Sequence, residues 1–263
     1  MLRLLTIAGS DSGGGAGVQA DLKTFFALGA HGMAAITAVT AQNTVAVQNV
    51  YALPANGVRA QVEAVRTDIG VDAVKTGMMP DAATIEVVAE LLDVLDCPVV
   101  IDPVQVATSG ARLLPGSAHA AMVELLLPRA TVCTPNLAEA RSLAGDSSLD
   151  GAAAGLAVAA LGPRSVVVTG GEQDGVDWFC SGGVAVALEG PHHTATATHG
   201  SGCTHSAALA FALAAGRSPE SAAAFAKRVA AQAIAGGLEA IGEGAGPVHQ
   251  TAVREYADDR SSA

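Results

Sequence analysis

The chain has 263 residues, 50% of them hydrophobic but only 3% aromatic, with a formal net charge of −11. A surface this acidic repels phosphate backbones and anionic bilayers, so neither nucleic acid nor membrane is expected as the main partner. The four cysteines, Cys97, Cys133, Cys180 and Cys203, form no C-x-x-C pair, which suits neither a zinc site nor a secreted disulfide scaffold. No apolar segment is long enough to cross a bilayer, and the apolar start is too short for a signal peptide, so a soluble cytoplasmic protein is expected.

Taken in chain order, short apolar runs alternate with helical segments. Leu4 to Ala8 reads as a first buried strand, followed by a helix over Val18 to Leu28. Met33 to Val39 reads as a second strand. Val71 to Thr76 and Val99 to Asp102 follow, separated by a helix over Ala82 to Leu95. Thr131 to Thr134 and Ser165 to Thr169 continue the series. Near-continuous Val/Ile strands alternating with helices predict a mostly parallel sheet covered on both faces. Val176 to Leu188 instead reads as an antiparallel hairpin at the sheet edge, turning at Ser181-Gly182-Gly183. Two alanine-rich helices come next, over about Ser201 to Ala215 and Pro219 to Leu238, and Ala152 to Ala160 keeps the spacing of a packed helix. A single domain over 1–263 is expected, with residues from about 244 a polar, frayed tail.

The clearest chemical signal is Thr198-His199-Gly200-Ser201-Gly202-Cys203-Thr204-His205-Ser206, opening an alanine-rich helix. Gly-x-Gly at a helix N-terminus lets successive amides converge on an anion, as phosphoryl transfer requires. Cys203 falls in the first turn, where the helix dipole is expected to lower its pKa. A glycine-rich loop before a helix, with Cys203 simply buried, is the plainer reading, and a Cys/His nucleophile pair is a third. The second signal is the glycine-rich loop from Gly9 to Gly17 after the first strand. The acid that a dinucleotide fingerprint places about 20 residues later is missing, and no Walker-type Gly-x-x-x-x-Gly-Lys-Ser/Thr occurs. Asp21, on the following helix, reads as a solvated or dipole-pairing acid. A third set lies at strand ends: Lys75-Thr76-Gly77-Met78, Asp102-Pro103-Val104, and Thr134-Pro135-Asn136 with Glu139. Asn136 and Glu139 suit a helix cap, and the carboxylate could also hold Mg²⁺ through water.

In order and spacing these blocks resemble the hydroxymethylpyrimidine/phosphomethylpyrimidine kinases over nearly the whole chain. The resemblance rests on Thr6 to Gly14 with Gln19 to Thr24, Thr40 to Thr44, Lys75 to Met78, Thr134 to Asn136 with Glu139, His199 to Thr204, and Gly244 to His249. It implies a ribokinase-like three-layer α/β/α fold and a Mg²⁺-dependent transfer from ATP to 4-amino-5-hydroxymethyl-2-methylpyrimidine, then to its monophosphate. It also implies Cys203 as the base and Gly200, Ser201 and Gly202 as the anion hole. The pyrimidine falls to Gln42, Gly9, Asp21, Met78 and Val104. The nucleotide falls to Asn136, Thr169 and Gly171, and the metal to Glu139 and Asp102. A homodimer acting on small molecules is the family's usual form.

The chain departs from the family pattern at Thr169, where many members carry lysine, and at Gln105 and Thr108, where methionine and lysine are usual. These changes bear on a phosphate contact and on the second phosphorylation. A pyridoxal kinase of the same superfamily and a non-catalytic pyrimidine sensor are the rival readings.

Overall fold

The structure, a computed structural model, describes residues 1–106, 110–111, 113–170, 175–190 and 197–256. In chain order the strands and helices are β1 (Arg3–Ala8), α1 (Gly17–Ala27), β2 (His31–Ile36), β3 (Ala38–Gln42), β4 (Val47–Ala52) and α2 (Ala55–Asp68). Next come β5 (Ala73–Thr76), α3 (Ala82–Asp93), β6 (Val99–Ile101), α4 (Gly116–Ala121), β7 (Val132–Cys133), α5 (Leu137–Ala144) and α6 (Gly151–Ala159). The chain continues with β8 (Ser165–Val168), β9 (Asp177–Ser181), β10 (Val184–Leu188), α7 (Ser201–Ala214) and α8 (Pro219–Ala235). A 3₁₀ segment, Gln250–Tyr256, closes the described chain.

The main sheet runs β10-β9-β8-β7-β6-β5-β1-β2. Strands β2 through β8 in that row pair in parallel, while β9 and β10 pair antiparallel. Alternate side chains of each strand feed two cores. Leu5, Ile7, Val74 and Ile101 face α3 and the 118–127 region, while Leu4, Val100, Val132 and Val167 face α7 and α8. With both faces buried, polar alternation is lost, which is why these strands read as continuous apolar runs. The edge hairpin turns through Gly182 (φ 57°) and Gly183 (φ 80°), the pair of positive φ angles that a two-residue turn matched to strand twist needs. Helix α7 is buried all round from Thr204 to Leu213, so its alanines serve close packing against α8 on one side and the sheet on the other.

Two sequence expectations are corrected here. The strand expected over Met33 to Val39 breaks at Thr37, whose Oγ1 donates to Met78 O at 2.8 Å and whose N–H donates to Ala8 O at 2.9 Å. Beyond that break β3 leaves the main sheet and pairs antiparallel with β4. Of the polar tail expected over 244–263, residues 246–253 are instead docked: Val248 and Val253 are fully buried and Gln250 nearly so, because the two valines join the core under α1 and α8, while 257–263 lie outside the described residues. Val248 N–H donates to His199 O (3.0 Å) and His199 N–H to Gly246 O (3.2 Å), so this segment buttresses the loop before α7. Among the described residues no helix is long and apolar enough to cross a membrane.

Candidate active site

A cavity of about 510 Å³ opens at the C-terminal ends of the parallel strands, where open α/β sheets bind ligands. Its floor is built by β1, β5 and β6. Thr6 and Lys75 are register partners on neighbouring strands, and Asp102 follows β6 directly. Lys75 Nζ lies 3.0 and 2.9 Å from the two oxygens of Asp21 and 3.7 Å from Asp102. Thr6 Oγ1 donates to Asp21 (2.6 Å), and Ser206 Oγ donates to Asp102 (3.0 Å). Burial works against the Lys75 charge, but Asp21, the Cys203 sulfur and Asp102 more than offset it and hold the ammonium above its usual range. Asp21 is therefore neither solvated nor on the cavity wall; it is wholly buried behind Lys75, as the counter-ion that makes a buried lysine tolerable. Asp102 reaches the cavity, but Lys75 and Ser206 already answer its charge.

The loop after β1 folds around Asp11, which accepts N–H bonds from Gly13 (2.8 Å), Gly15 (3.0 Å) and Ala16 (2.8 Å). Its Oδ2 also lies 2.9 Å from His199 Nε2. Burial pushes this carboxyl up, but His199 and the loop amides outweigh burial and hold it below the carboxylate range. Sequence reasoning passed over Asp11 as one more loop residue. An Asx-type turn inside a glycine loop was the available signal.

Gly200 caps α7 in the left-handed conformation (φ 85°, ψ 7°), and its backbone lies so close to the first loop that a Cβ there would stand 1.8 Å from Gly15 O. Ser201 N–H turns back to Thr198 O at 3.1 Å. The amides of Gly202 and Cys203 follow as first-turn donors with no carbonyl of their own helix to serve. All four residues, Gly200 to Cys203, line the cavity. Cys203 is half-buried and accepts the Gly17 N–H. The lowered thiol expected from the helix dipole is corrected: burial, with Asp21 and Asp102 adding to it, pushes Cys203 up to about 12 despite Lys75 and Gly17 N–H.

Of the five residues assigned to the ring from sequence, Gly9, Gln42, Met78 and Val104 line this cavity; Asp21 does not join them. Gln42 is delivered by β3, its Oε1 taking the Thr40 hydroxyl at 3.3 Å. Asn136, Glu139 and Thr169 line the same cavity. The helix-cap reading of the first two holds in full: Asn136 Oδ1 accepts Glu139 N–H (2.8 Å) and Glu139 Oε2 accepts Asn136 N–H (3.0 Å). Yet both also face the cavity, so capping fixes the side chains that line it. Glu139 Oε1 accepts Gln105 N–H (3.1 Å), and Gln105 Oε1 accepts from Ser142 Oγ (2.9 Å), so the departure at Gln105 anchors the segment beside the site. Gly171 and Thr108 lie outside the described residues.

Burial, then Asp102, raise Glu139 from its ordinary 4.5 to about 7. Between those values the folded state holds a proton that the unfolded state has lost, so stability falls as pH rises through the window. We expect Glu139→Gln to abolish that fall, changing the stability difference between the two proteins by about 3 kcal/mol from pH 4 to pH 8. Denaturant melts in chelator at several pH values measure it, and parallel profiles for the two proteins would refute it.

Three comparisons bear on this arrangement. The profile of the phosphomethylpyrimidine kinase family matches residues 11–249. The chain belongs to that family. The hydroxymethylpyrimidine/phosphomethylpyrimidine kinase of Streptomyces coelicolor is 49% identical over 93% of each chain. Among solved structures, the pyridoxal kinase of Bacillus subtilis in its ADP complex is similar at TM-score 0.89 and 38% identity, over 97% of this chain and 99% of that one. The phosphomethylpyrimidine kinase of Clostridium difficile aligns at TM-score 0.78 and 37% identity, over 89% and 100%. As a member of this ATP-dependent family the protein is a kinase, and its three-layer α/β fold is the one its structural neighbours share.

Proposed function

We propose that this phosphomethylpyrimidine kinase family member, acting as one domain, moves the γ-phosphoryl group of ATP to the hydroxymethyl oxygen of 4-amino-5-hydroxymethyl-2-methylpyrimidine. A second transfer then goes to the resulting monophosphate, within thiamine biosynthesis. What supports this reading is that the Gly200–Cys203 helix start lines one cavity together with Gln42, Met78 and Val104 and with Asn136, Glu139 and Thr169. A side-chain amide can donate and accept at once, as an aminopyrimidine edge asks of Gln42, while Met78 and Val104 cover the ring face. The Gly202 and Cys203 amides take the negative charge on the transferred group. As the new P–O bond forms, the bond to the bridging oxygen of ADP breaks and the hydroxyl proton leaves for the Cys203 sulfur.

Among the described residues no group of three or more His, Cys, Asp or Glu could cage a metal. That suits Mg²⁺, which keeps most of its shell as water and phosphate oxygens and needs one or two carboxylates. Glu139 fits best, since its raised pKa marks a buried carboxylate short of positive charge. When bound, the ion would neutralise charge between the phosphates. Asp102 is the weaker of the two assignments because Lys75 already balances it.

A thiol near 12 is mostly protonated at neutral pH, and only the thiolate accepts a proton. The first transfer is thus expected to speed up as pH rises towards the thiol range, whereas the second, whose acceptor is already an anion, is not. Cys203→Ser is expected to slow the first transfer about 100-fold and the second by no more than about threefold. Equal losses in both steps would remove Cys203 from the base role.

The likeness to pyridoxal kinase at TM-score 0.89 keeps pyridoxal as the second substrate to offer. ADP release with hydroxymethylpyrimidine, its monophosphate and pyridoxal in parallel decides the question. Turnover of both pyrimidines is expected, and turnover of pyridoxal alone would overturn the assignment.

A further inference from the structure

His205 plays no part in the chemistry just described, yet it is the least explained polar group in the site. It sits on α7, only 3% exposed, and among the described residues neither Nδ1 nor Nε2 has a hydrogen-bond partner. A buried polar group left unpaired costs free energy, and a ring with both nitrogens open is rarely kept without something to complete it. The ring lines the cavity.

Its neighbours tie it to the part of the lining that holds Thr169 and Asn136. Asp177 from β9 and Lys227 from α8 are the charged groups that act on it. These two are already paired, Lys227 Nζ to Asp177 at 3.2 Å, with Lys227 also donating to Gly175 O. Asp177 in turn accepts from Gly170 N–H at 3.3 Å, one residue past Thr169, which bridges to Asn136. Burial, reinforced by Lys227 and opposed by Asp177, lowers the His205 pKa, so the ring is neutral and presents one donor and one acceptor. Ala231 and Ile234 of α8 add apolar lining to the same cavity.

We propose that His205 is a specificity residue for the phosphoryl donor, hydrogen-bonding the nucleoside part of the nucleotide with its two open ring nitrogens. The inference rests on the kinase reading above. A neutral group that both donates and accepts matches either a ribose hydroxyl or the edge of a purine, and the experiment separates the two.

Initial rates are measured with ATP, 2′-deoxy-ATP, 3′-deoxy-ATP and ITP on the unsubstituted kinase, on His205→Leu and on His205→Gln. His205→Leu is expected to raise KM for ATP about tenfold, while kcat and KM for the pyrimidine stay within about twofold; His205→Gln, which still donates and accepts, recovers part of the loss. If the ribose is bound, one deoxy-nucleotide shows the same penalty on the unsubstituted enzyme and none on His205→Leu. If the base is bound, ITP shows that pattern instead. An unchanged KM for ATP, or an equal rise in KM for both substrates, overturns the proposal.

Binding of a non-hydrolysable ATP analogue, followed by calorimetry, reads the same contact without turnover. Absence of pyrimidine turnover with tenfold weaker analogue binding in His205→Leu would sink the proposed activity and leave this inference standing. Should His205→Leu fail to fold, ¹⁵N shifts of the His205 ring in the unsubstituted protein remain. They are expected to move with the nucleotide analogue and not with the pyrimidine, and ring nitrogens that stay put overturn the inference.

Discussion

Gly200→Ala is expected to lose at least 1,000-fold in kcat, a scale set by the loss of an oxyanion-type donor, and to melt well below the unsubstituted kinase. Two penalties coincide at this position. The left-handed conformation (φ 85°) costs any side-chain-bearing residue about 1–2 kcal/mol. The larger one is the clash, since the new methyl would stand 1.8 Å from Gly15 O, a backbone atom with no rotamer to escape into. Gly15 is itself held by its N–H bond to Asp11 and by Gln250 Nε2 on its carbonyl (3.2 Å), so the anion loop must yield. Moving the loop moves the Gly202 and Cys203 amides off the transferred group. Gly202→Ala is the control, since a Cβ at Gly202 meets nothing within 4 Å and should cost far less stability. Steady-state rates and thermal melts on both variants measure this, and near-normal activity in Gly200→Ala would mean that the loop does not bind the phosphoryl group.

Lys75→Met is the second large expectation, at about 3–5 kcal/mol of stability near pH 7. The lysine and Asp21 are both fully buried, and Asp102 is 6% exposed, so removing the cation strands two carboxylates away from water. Burial already pushes both acids up, and without Lys75 they rise further. A raised folded-state pKa means that the folded chain holds protons the unfolded chain has lost, so the deficit grows as pH rises above the ordinary carboxylate range and shrinks below it. Adding Asp21→Asn to Lys75→Met should restore more than half of the loss. The first transfer should fall as well, because Lys75 is the charge that opposes the rise of the Cys203 thiol. Denaturant melts between pH 4 and pH 8 settle the matter, and a deficit below about 1 kcal/mol, or one flat in pH, would show that the pair is not held as ions.

The sequence was most informative where one kind of residue has one use. Apolar runs such as Leu4 to Ala8 and Ser165 to Thr169 named strands buried on both faces, and Ser181-Gly182-Gly183 named its turn, because only those patterns suit those backbones. Gly200-Ser201-Gly202 before an alanine-rich stretch marked the loop that starts α7 for the same reason. The break at Thr37 was not legible, since β-branched residues run through it and only the carbonyls of Ala8 and Met78, far apart in sequence, end the strand there. The helix over Ala55–Asp68 was passed over because it fully buries only Val58 and Val62, and seven of its other residues, from Asn56 to Asp68, are polar or charged.

Taken alone, the sequence determined the layered parallel architecture and the glycine turn that starts α7, both local patterns at strand or helix ends, while Gln42, Met78 and Glu139, which share one cavity, were grouped through the family resemblance. Only the tertiary structure decided the charge states. Asp21 turned from a surface acid into a buried counter-ion, and Cys203 from an activated thiol into a raised one. His205 emerged as an open ring rather than a helix residue, and 246–253 as a buttress rather than a tail. The reason is physical: desolvation and Coulomb interaction depend on which groups meet across the fold, and residues such as Asp21 and Lys75, 54 positions apart, carry no mark of each other in the chain.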